Sequence, residues 1–211
     1  MRGLERFAPL TGVLFVLFVI VAVIVGGETP SADDPIAEVV EYWNDNKDQA
    51  IVSSIIAAIS TVFLLWFAGV LRAVLAAAEG PPARLANTAF GGAVIGAVGW
   101  LLLIGFTFVA ADTAGDVAPQ VTQTMSVLQA DLFFPLSVGF AVFLLASGLA
   151  IVRSGALPSW TGWVALVLGV VALTPAGFFA MIVMLAWVLA ISVMLFQRST
   201  PAPPASAPGQ M

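Results

Sequence analysis

The sequence predicts an all-α fold, a polytopic transmembrane bundle of six helices with both termini on the cytoplasmic side. Of its 211 residues, 61% are hydrophobic and 9% are charged, whereas a soluble domain has about 45–50% apolar and about 25% charged residues. The apolar residues form uncharged runs of the length that crosses a hydrocarbon core of about 30 Å. Lys and Arg collect on one side of the resulting topology, as the positive-inside rule requires.

Six apolar runs define the predicted spans. The last two come from one uncharged stretch that we divide at Pro175, because Pro and Gly interrupt helices. The alternative is a single kinked helix, but about 40 residues would reach roughly twice the core thickness. The predicted spans therefore cover residues 7–25, 51–75, 89–110, 132–152, 158–173 and 176–196 of a transmembrane domain over 1–198, followed by a disordered Pro/Ala-rich tail over 199–211.

The first run also has features of a signal peptide, since Arg2 and Arg6 precede it. It is longer than the usual apolar region of such peptides, and Glu28 and Pro30 interrupt the small residues of a cleavage site. We therefore expect a retained span. N-terminal sequencing of the mature protein would test this.

The few charges set the predicted orientation. With six crossings, only Lys47 among the seven basic residues falls on the outer side, together with ten of the twelve acids. The inner side carries the other basic residues, which are Arg2, Arg6, Arg72, Arg84, Arg153 and Arg198. The basic side is cytoplasmic by the positive-inside rule. The expected location is a bacterial inner or plasma membrane.

Two outer segments, 26–50 and 111–131, are expected to form a small acidic cap. In the first, the sequence predicts that Asp34 is an N-cap and that Pro35 is the first residue of an amphipathic helix. Its expected contact surface consists of Glu38, Glu41, Tyr42 and Trp43, with an aromatic ring at the headgroup level. The alternative is a solvated acidic connector.

The residue pattern of the second outer segment also predicts a helix. Pro119 begins it, and its apolar face consists of Val121, Met125, Leu128 and Leu132. The polar residues between them indicate that it lies above the bilayer and leads into the fourth span.

Inside the spans, polar residues mark a candidate pocket. The central thirds carry no charge, which counts against a charge-coupled transporter or a voltage sensor. Ser54 and Thr61 are seven residues apart and share a helical face, Trp100 lies in the middle of the third span, and Asp131 lies at the outer boundary of the fourth. These four are the predicted ligand-binding residues. The alternative is that the hydroxyls bond to their own helix carbonyls.

Closely spaced glycines in the third span predict helix packing. Gly92-x-x-x-Gly96 is a small-xxx-small pattern that lets two helices approach closely, and Gly99 extends it.

Catalytic chemistry has little support in the sequence. The chain has no Cys and no His, which removes the usual metal ligands, thiolate nucleophiles and His-dependent triads. We find no phosphate-binding or dinucleotide-binding glycine motif. The prediction is a non-enzyme with no catalytic residues, no metal site and no cofactor. Its predicted partners are the lipid bilayer and either another protein or a second copy of itself, but no nucleic acid.

One stretch of about twenty residues resembles a known family. It consists of Phe140, Phe143, Ser147 and Gly148, then Ile151, Arg153, Ser154, Gly155, Leu157, Pro158, Trp160, Gly162 and Trp163. This pattern is similar to that of an uncharacterised bacterial family of six-pass membrane proteins with a domain of unknown function, and the similarity extends loosely over residues 8–195. The resemblance implies a six-pass helical fold and no particular activity.

The functional expectation is a non-enzymatic membrane module that binds a partner, a lipid or an apolar ligand through its acidic outer cap. The alternative is a small carrier or channel for a neutral or apolar compound. A continuous polar path through the bundle would favour the alternative.

Overall fold

The computed structural model describes residues 6–31 and 33–198, and within these ranges the chain forms helices and no β-strand. A short 3₁₀ helix, Ala8–Leu10, leads into the first α-helix. The α-helices are α1 (Thr11–Gly26), α2 (Ile36–Asp45), α3 (Lys47–Glu79), α4 (Arg84–Thr113), α5 (Pro119–Asp131), α6 (Phe133–Ser154), α7 (Ser159–Val171) and α8 (Gly177–Arg198). The all-helical prediction is confirmed for this part of the chain, whereas the predicted tail over 199–211 lies outside it.

Five stretches of the described chain are long and apolar enough to cross a membrane. They are Ala8–Gly26, Lys47–Glu79, Arg84–Thr113, Pro119–Ser154 and Gly177–Arg198. The fifth predicted span, 158–173, corresponds to α7, whose 13 residues extend about 20 Å. The break around Pro175 separates α7 from α8. The architecture is that of a helical membrane protein with five such stretches, and the sixth crossing stays a prediction.

The bundle has two chemically different ends. At one end, which we call the acidic end, α2 and α5 pack against each other and form the cap. At the opposite, basic end, the arginines hold the loops. The Arg72 Nε donates to Asn87 Oδ1 at 2.9 Å, and an Nη of Arg198 donates to the Ala156 carbonyl. The helices α1, α3, α4, α6, α7 and α8 run alternately between these ends.

A carboxylate organises the tight connection between α3 and α4 at the basic end. Glu79 is the last residue of α3, and its two carboxylate oxygens accept the backbone N–H groups of Leu85 and Ala86, each at 3.0 Å. These are N–H groups of the first turn of α4, which have no partner within that helix. The Glu79 side chain therefore connects the end of α3 to the first turn of α4.

Glycines bring α4 and α6 into close contact. A Cβ at Gly99 would lie 2.7 Å from the backbone nitrogen of Leu136, and one at Gly96 would lie 2.9 Å from the Phe140 ring. Gly92 faces the backbone of Val142 and Phe143 in the same way. The three glycines of the predicted packing motif thus lie on the face of α4 that meets α6.

The half of the bundle toward the basic end is filled by large apolar side chains. Leu64, Phe67 and Leu71 of α3 are at most 1% exposed. Helix α1 packs along α3, where the Phe18 and Phe63 rings lie 5.2 Å apart. Phe15 and Val16 of α1 are buried in the main apolar cluster, so the predicted first span is part of the core. On α8, the Trp187 ring contacts the Phe143 ring edge-on, with the centroids 5.9 Å apart.

The start of α2 differs from the prediction by one residue. The helix begins at Ile36, and Pro35 precedes it with extended backbone angles. Asp34 does not cap the helix, because its carboxylate accepts the backbone N–H of Ser31 at 2.7 Å. The carboxylate therefore closes the preceding turn instead.

Candidate functional site: an apolar cavity beneath the acidic cap

A buried tryptophan holds the cap together. Trp43 on α2 is 0% exposed, and its indole Nε1 donates to Ser126 Oγ on α5 at 2.6 Å. Trp43 is therefore buried inside the cap and not exposed on the expected outer contact surface. The expected aromatic ring at the headgroup level, Tyr42 or Trp43, stays a prediction. Glu38 and Glu41 are exposed, as a contact surface requires, and Tyr42 is half-buried.

Helix α5 begins at Pro119, as predicted, but it buries a different face. Thr122 and Ser126 are buried, whereas Val121 and Leu128 of the predicted apolar face are exposed. Met125, also of the predicted face, is partly buried and packs against the apolar core of the cap. The reason lies in the partner of α5, since the indole N–H of Trp43 needs a hydrogen-bond acceptor once it is buried.

The cap is also tied to the ends of the long helices. Lys47 Nζ donates to the backbone carbonyl of Asp112 at 2.6 Å and lies 3.8 Å from its carboxylate. Gln49 Nε2 donates to the carbonyl of Val25 at 2.6 Å. These bonds fix the beginning of α3 against the ends of α1 and α4.

Beneath the cap lies a cavity of about 790 Å³, which we call the large chamber. This volume falls within the range of about 300–1,000 Å³ that is typical of small-molecule sites. Its walls come from α1, α4, α6 and α8 and are almost entirely apolar, with Phe15, Val19, Leu136, Phe140, Phe178, Met181 and Met184 among them. Polar side chains line it only near the cap, where Glu28, Thr29 and Gln129 contribute.

The large chamber exists because α1 and α8 touch along only part of their length. Toward the basic end, the rings of Phe7 and Phe196 lie 6.1 Å apart, and Gly12 packs on Ser192. Continued in the same antiparallel register, the two helices would bring Val23 opposite Met181. At that level, however, both residues line the large chamber. Ile24 and Phe178 nearby are 74% and 59% exposed. The cavity therefore lies next to the apolar outer surface of the bundle, between these two helices.

A second cavity of about 160 Å³, the small chamber, adjoins the first. Both are lined by Val23, Gly27, Thr29, Trp100, Leu103 and Gln129. Its polar walls include Ser53 and Thr107, whose hydroxyls donate to the Ala22 and Leu103 carbonyls at 2.9 and 3.2 Å. Ser54 is only 4% exposed, and its hydroxyl has no hydrogen-bond partner in the described structure.

The charges around the two chambers are negative. Among the described residues, Glu28 is the one ionisable side chain that lines a chamber, and no Lys or Arg of this part of the chain lines either chamber. Burial raises the pKa of the nearby Tyr42 phenol, and the Glu28 carboxylate raises it further. The part of the large chamber near Glu28 therefore disfavours an anion.

The structure brings together two of the four predicted ligand-binding residues. Ser54 and Trp100 both line the small chamber. Asp131 is exposed and lines neither chamber, and Thr61 is buried deeper in α3, also away from both. The contribution of α1 and α8 was not predicted, because their chamber-facing residues have the same apolar character as their lipid-facing ones.

Toward the basic end, the described residues offer no continuous polar path from the small chamber. Below Ser54 on α3, Thr61 on the same face and Ser60 beside it are both buried, and Ser60 donates to the Ala57 carbonyl. One turn further on, Leu64 and Phe67 are both 0% exposed. No group of three or more Asp and Glu side chains within the described ranges is arranged to hold a metal ion.

Comparisons with known proteins give no relative, since no protein-family model, no curated protein and no solved structure matches the chain. The resemblance to the bacterial six-pass family therefore stays a prediction.

Proposed function

We propose that this protein is a non-enzymatic, multi-pass membrane protein that binds an apolar, lipid-like ligand in the large chamber beneath its acidic cap. The observation that carries the proposal is the chamber itself, a cavity of about 790 Å³ whose polar lining is confined to the cap side. An apolar site of this size, with a few polar groups at one end, is the default form of a ligand pocket.

The membrane placement is part of the proposal. The acidic end faces outward and the basic end faces the cytoplasm of a bacterial cell, because the arginines gather at the basic end. Helix α7 makes the fifth of six crossings and α8 the last, so both termini are cytoplasmic. The contact between α1 and α8 then lies in the inner leaflet, and the chamber lies at the level of the outer leaflet.

The packing favours binding over conduction. A carrier or channel for a neutral compound needs a route to the cytoplasmic side, and Leu64, Phe67 and Leu71 fill the bundle along that route. Flux of an apolar dye into liposomes that contain only this protein would support the carrier instead.

The proposal is tested by native mass spectrometry of the gently extracted protein. Val23 lines both chambers, so Val23→Trp is expected to reduce the bound lipid-like mass strongly. Leu17→Trp is the matched control, because Leu17 lies on the same helix, is 51% exposed and lines neither chamber. Equal retention of lipid by the two variants, with equal thermal stability, would contradict the proposal.

A further inference from the structure

We infer that the ligand is a neutral lipid with a free hydroxyl group, whose head occupies the small chamber while its chain occupies the large one. This inference rests on the proposed function and adds the chemical class of the ligand. A long-chain alcohol and a diacylglycerol share this chemistry.

The first argument is the hydroxyl of Ser54. A serine within an apolar helix normally donates to a carbonyl of the preceding turn, as Ser60 does to Ala57 at 2.6 Å on the same helix. Ser54 lines the small chamber, is 4% exposed and makes no such bond. A buried donor without an acceptor costs free energy. A ligand that places an oxygen beside Ser54 would remove this cost.

The second argument is what the other hydroxyls in the small chamber offer. Those of Ser53 and Thr107 already donate to backbone carbonyls, so their oxygens can only accept a further bond. The chamber thus presents one unused donor and several acceptors. A hydroxyl, which both donates and accepts, matches this set better than an ester or a ketone does.

The third argument is charge. An ionised head within the small chamber would lose its hydration and meet no opposite charge, which is strongly unfavourable. The Glu28 carboxylate lines the large chamber and would repel a phosphate or a fatty-acid carboxylate. Lys47, the basic residue of the cap, lies against Asp112. A neutral head fits this environment, and an anionic phospholipid does not.

The fourth argument is continuity between the chambers. The six residues that line both chambers include Trp100, whose indole Nε1 lies 3.4 Å from both the Ser60 hydroxyl and the Ala57 carbonyl. The polar chamber is the smaller, at about 160 Å³ against about 790 Å³. A lipid with a compact polar head and a long apolar chain likewise has a small polar part and a large apolar part.

The test uses the full chain in lipid nanodiscs and measures displacement of a fluorescent fatty alcohol. The competitors are hexadecanol, its matched hydrocarbon hexadecane, dioleoylglycerol and phosphatidylglycerol. Ser54→Ala is expected to weaken hexadecanol binding about three- to tenfold, the value of one neutral hydrogen bond, and to leave hexadecane binding unchanged. Comparison of hexadecanol with dioleoylglycerol distinguishes a one-chain from a two-chain ligand.

The matched control is Ser147→Ala. Ser147 on α6 is also a buried serine without a hydrogen-bond partner, but it lines neither chamber. The inference is overturned if Ser54→Ala and Ser147→Ala bind hexadecanol equally, or if phosphatidylglycerol binds more tightly than dioleoylglycerol. If hexadecane still binds and Val23→Trp still blocks it, the proposed function survives that failure. If no competitor displaces the probe, both fail.

Discussion

The seam between α4 and α6 and the seam between α1 and α8 join antiparallel helices of similar composition, yet one is closed along its length and the other only at one end. In the first, Gly92, Gly96 and Gly99 bring the backbones together over two turns. In the second, Gly12 allows close contact near the basic end, and the bulky residues that follow line a cavity. Inside a membrane, apolar surface alone does not pull helices together. The spacing of small residues therefore determines where two helices pack closely and where a cavity remains between them.

The largest expected effect comes from closing the space at the α4–α6 seam. Gly92→Ala would place a methyl group against the backbone of Phe143, which cannot move aside as a side-chain tip can. We expect a loss of about 1–3 kcal/mol in the free energy of unfolding, measured by thermal denaturation in detergent. Gly91→Ala is the matched control, since nothing lies within 4 Å of a Cβ there. Equal stability of the two variants would show that close approach does not hold this seam.

A smaller effect is expected at the closed end of the α1–α8 seam. A Cβ at Gly12 would collide with the Ser192 hydroxyl and lie 2.7 Å from the Phe67 ring, and both are side-chain atoms that can shift. We expect Gly12→Ala to cost about 1 kcal/mol. Adding Ser192→Ala removes the hydroxyl and is expected to restore part of the stability. Absence of coupling in this double-mutant cycle would contradict direct contact at this point.

The cap gives a third test, because it covers the open part of the second seam. Ser126→Ala leaves the buried Trp43 indole N–H without its acceptor, at a cost of about 1 kcal/mol or somewhat more. We expect faster hydrogen exchange in α2 and α5 and little change in the long helices. Thr124→Ala, an exposed position on α5, serves as the control. Uniform exchange changes through the whole bundle would mean that the cap is not a separate unit.

The smallest effect concerns Tyr42, a cap residue that interacts with Glu28 in the lining of the large chamber. Tyr42 is the protein's one tyrosine, so ultraviolet absorbance titration reports it alone. Its pKa is raised above the usual 10.0 by burial and then by Glu28. The Tyr42 phenol ionises at a lower pH in the unfolded state than in the folded state. The free energy of unfolding should therefore fall as the pH rises through 10 and above. Glu28→Gln is expected to lower the pKa only in part, since burial remains. No change on this substitution would place Glu28 away from Tyr42.

Those parts of the molecule that depend on local patterns could be predicted from the sequence. The helix break at Pro175, the start of α5 at Pro119 and the packing face at Gly92 follow from backbone chemistry that each residue carries with it. Trp43 was misplaced because its partner, Ser126, is 83 residues away, and no local pattern records that pairing. The large chamber was missed because Val19 and Leu17 look alike in a sequence, although one lines a cavity and the other lies on the outer surface.

The short helix α7 has a consequence for the membrane itself. It spans about 20 Å, whereas α3, with 33 residues, extends about 50 Å. Trp160 and Trp163 at one end of α7 and Leu173 after its other end are all more than half exposed. With α7 crossing the bilayer, as we propose, lipid would meet this narrow apolar band directly. The hydrocarbon layer there would have to thin, or the bundle tilt, at a cost of a fraction of a kcal/mol per Å of mismatch. The protein would then favour thinner bilayers, and its side nearest α7 would be a place where lipids are already disturbed.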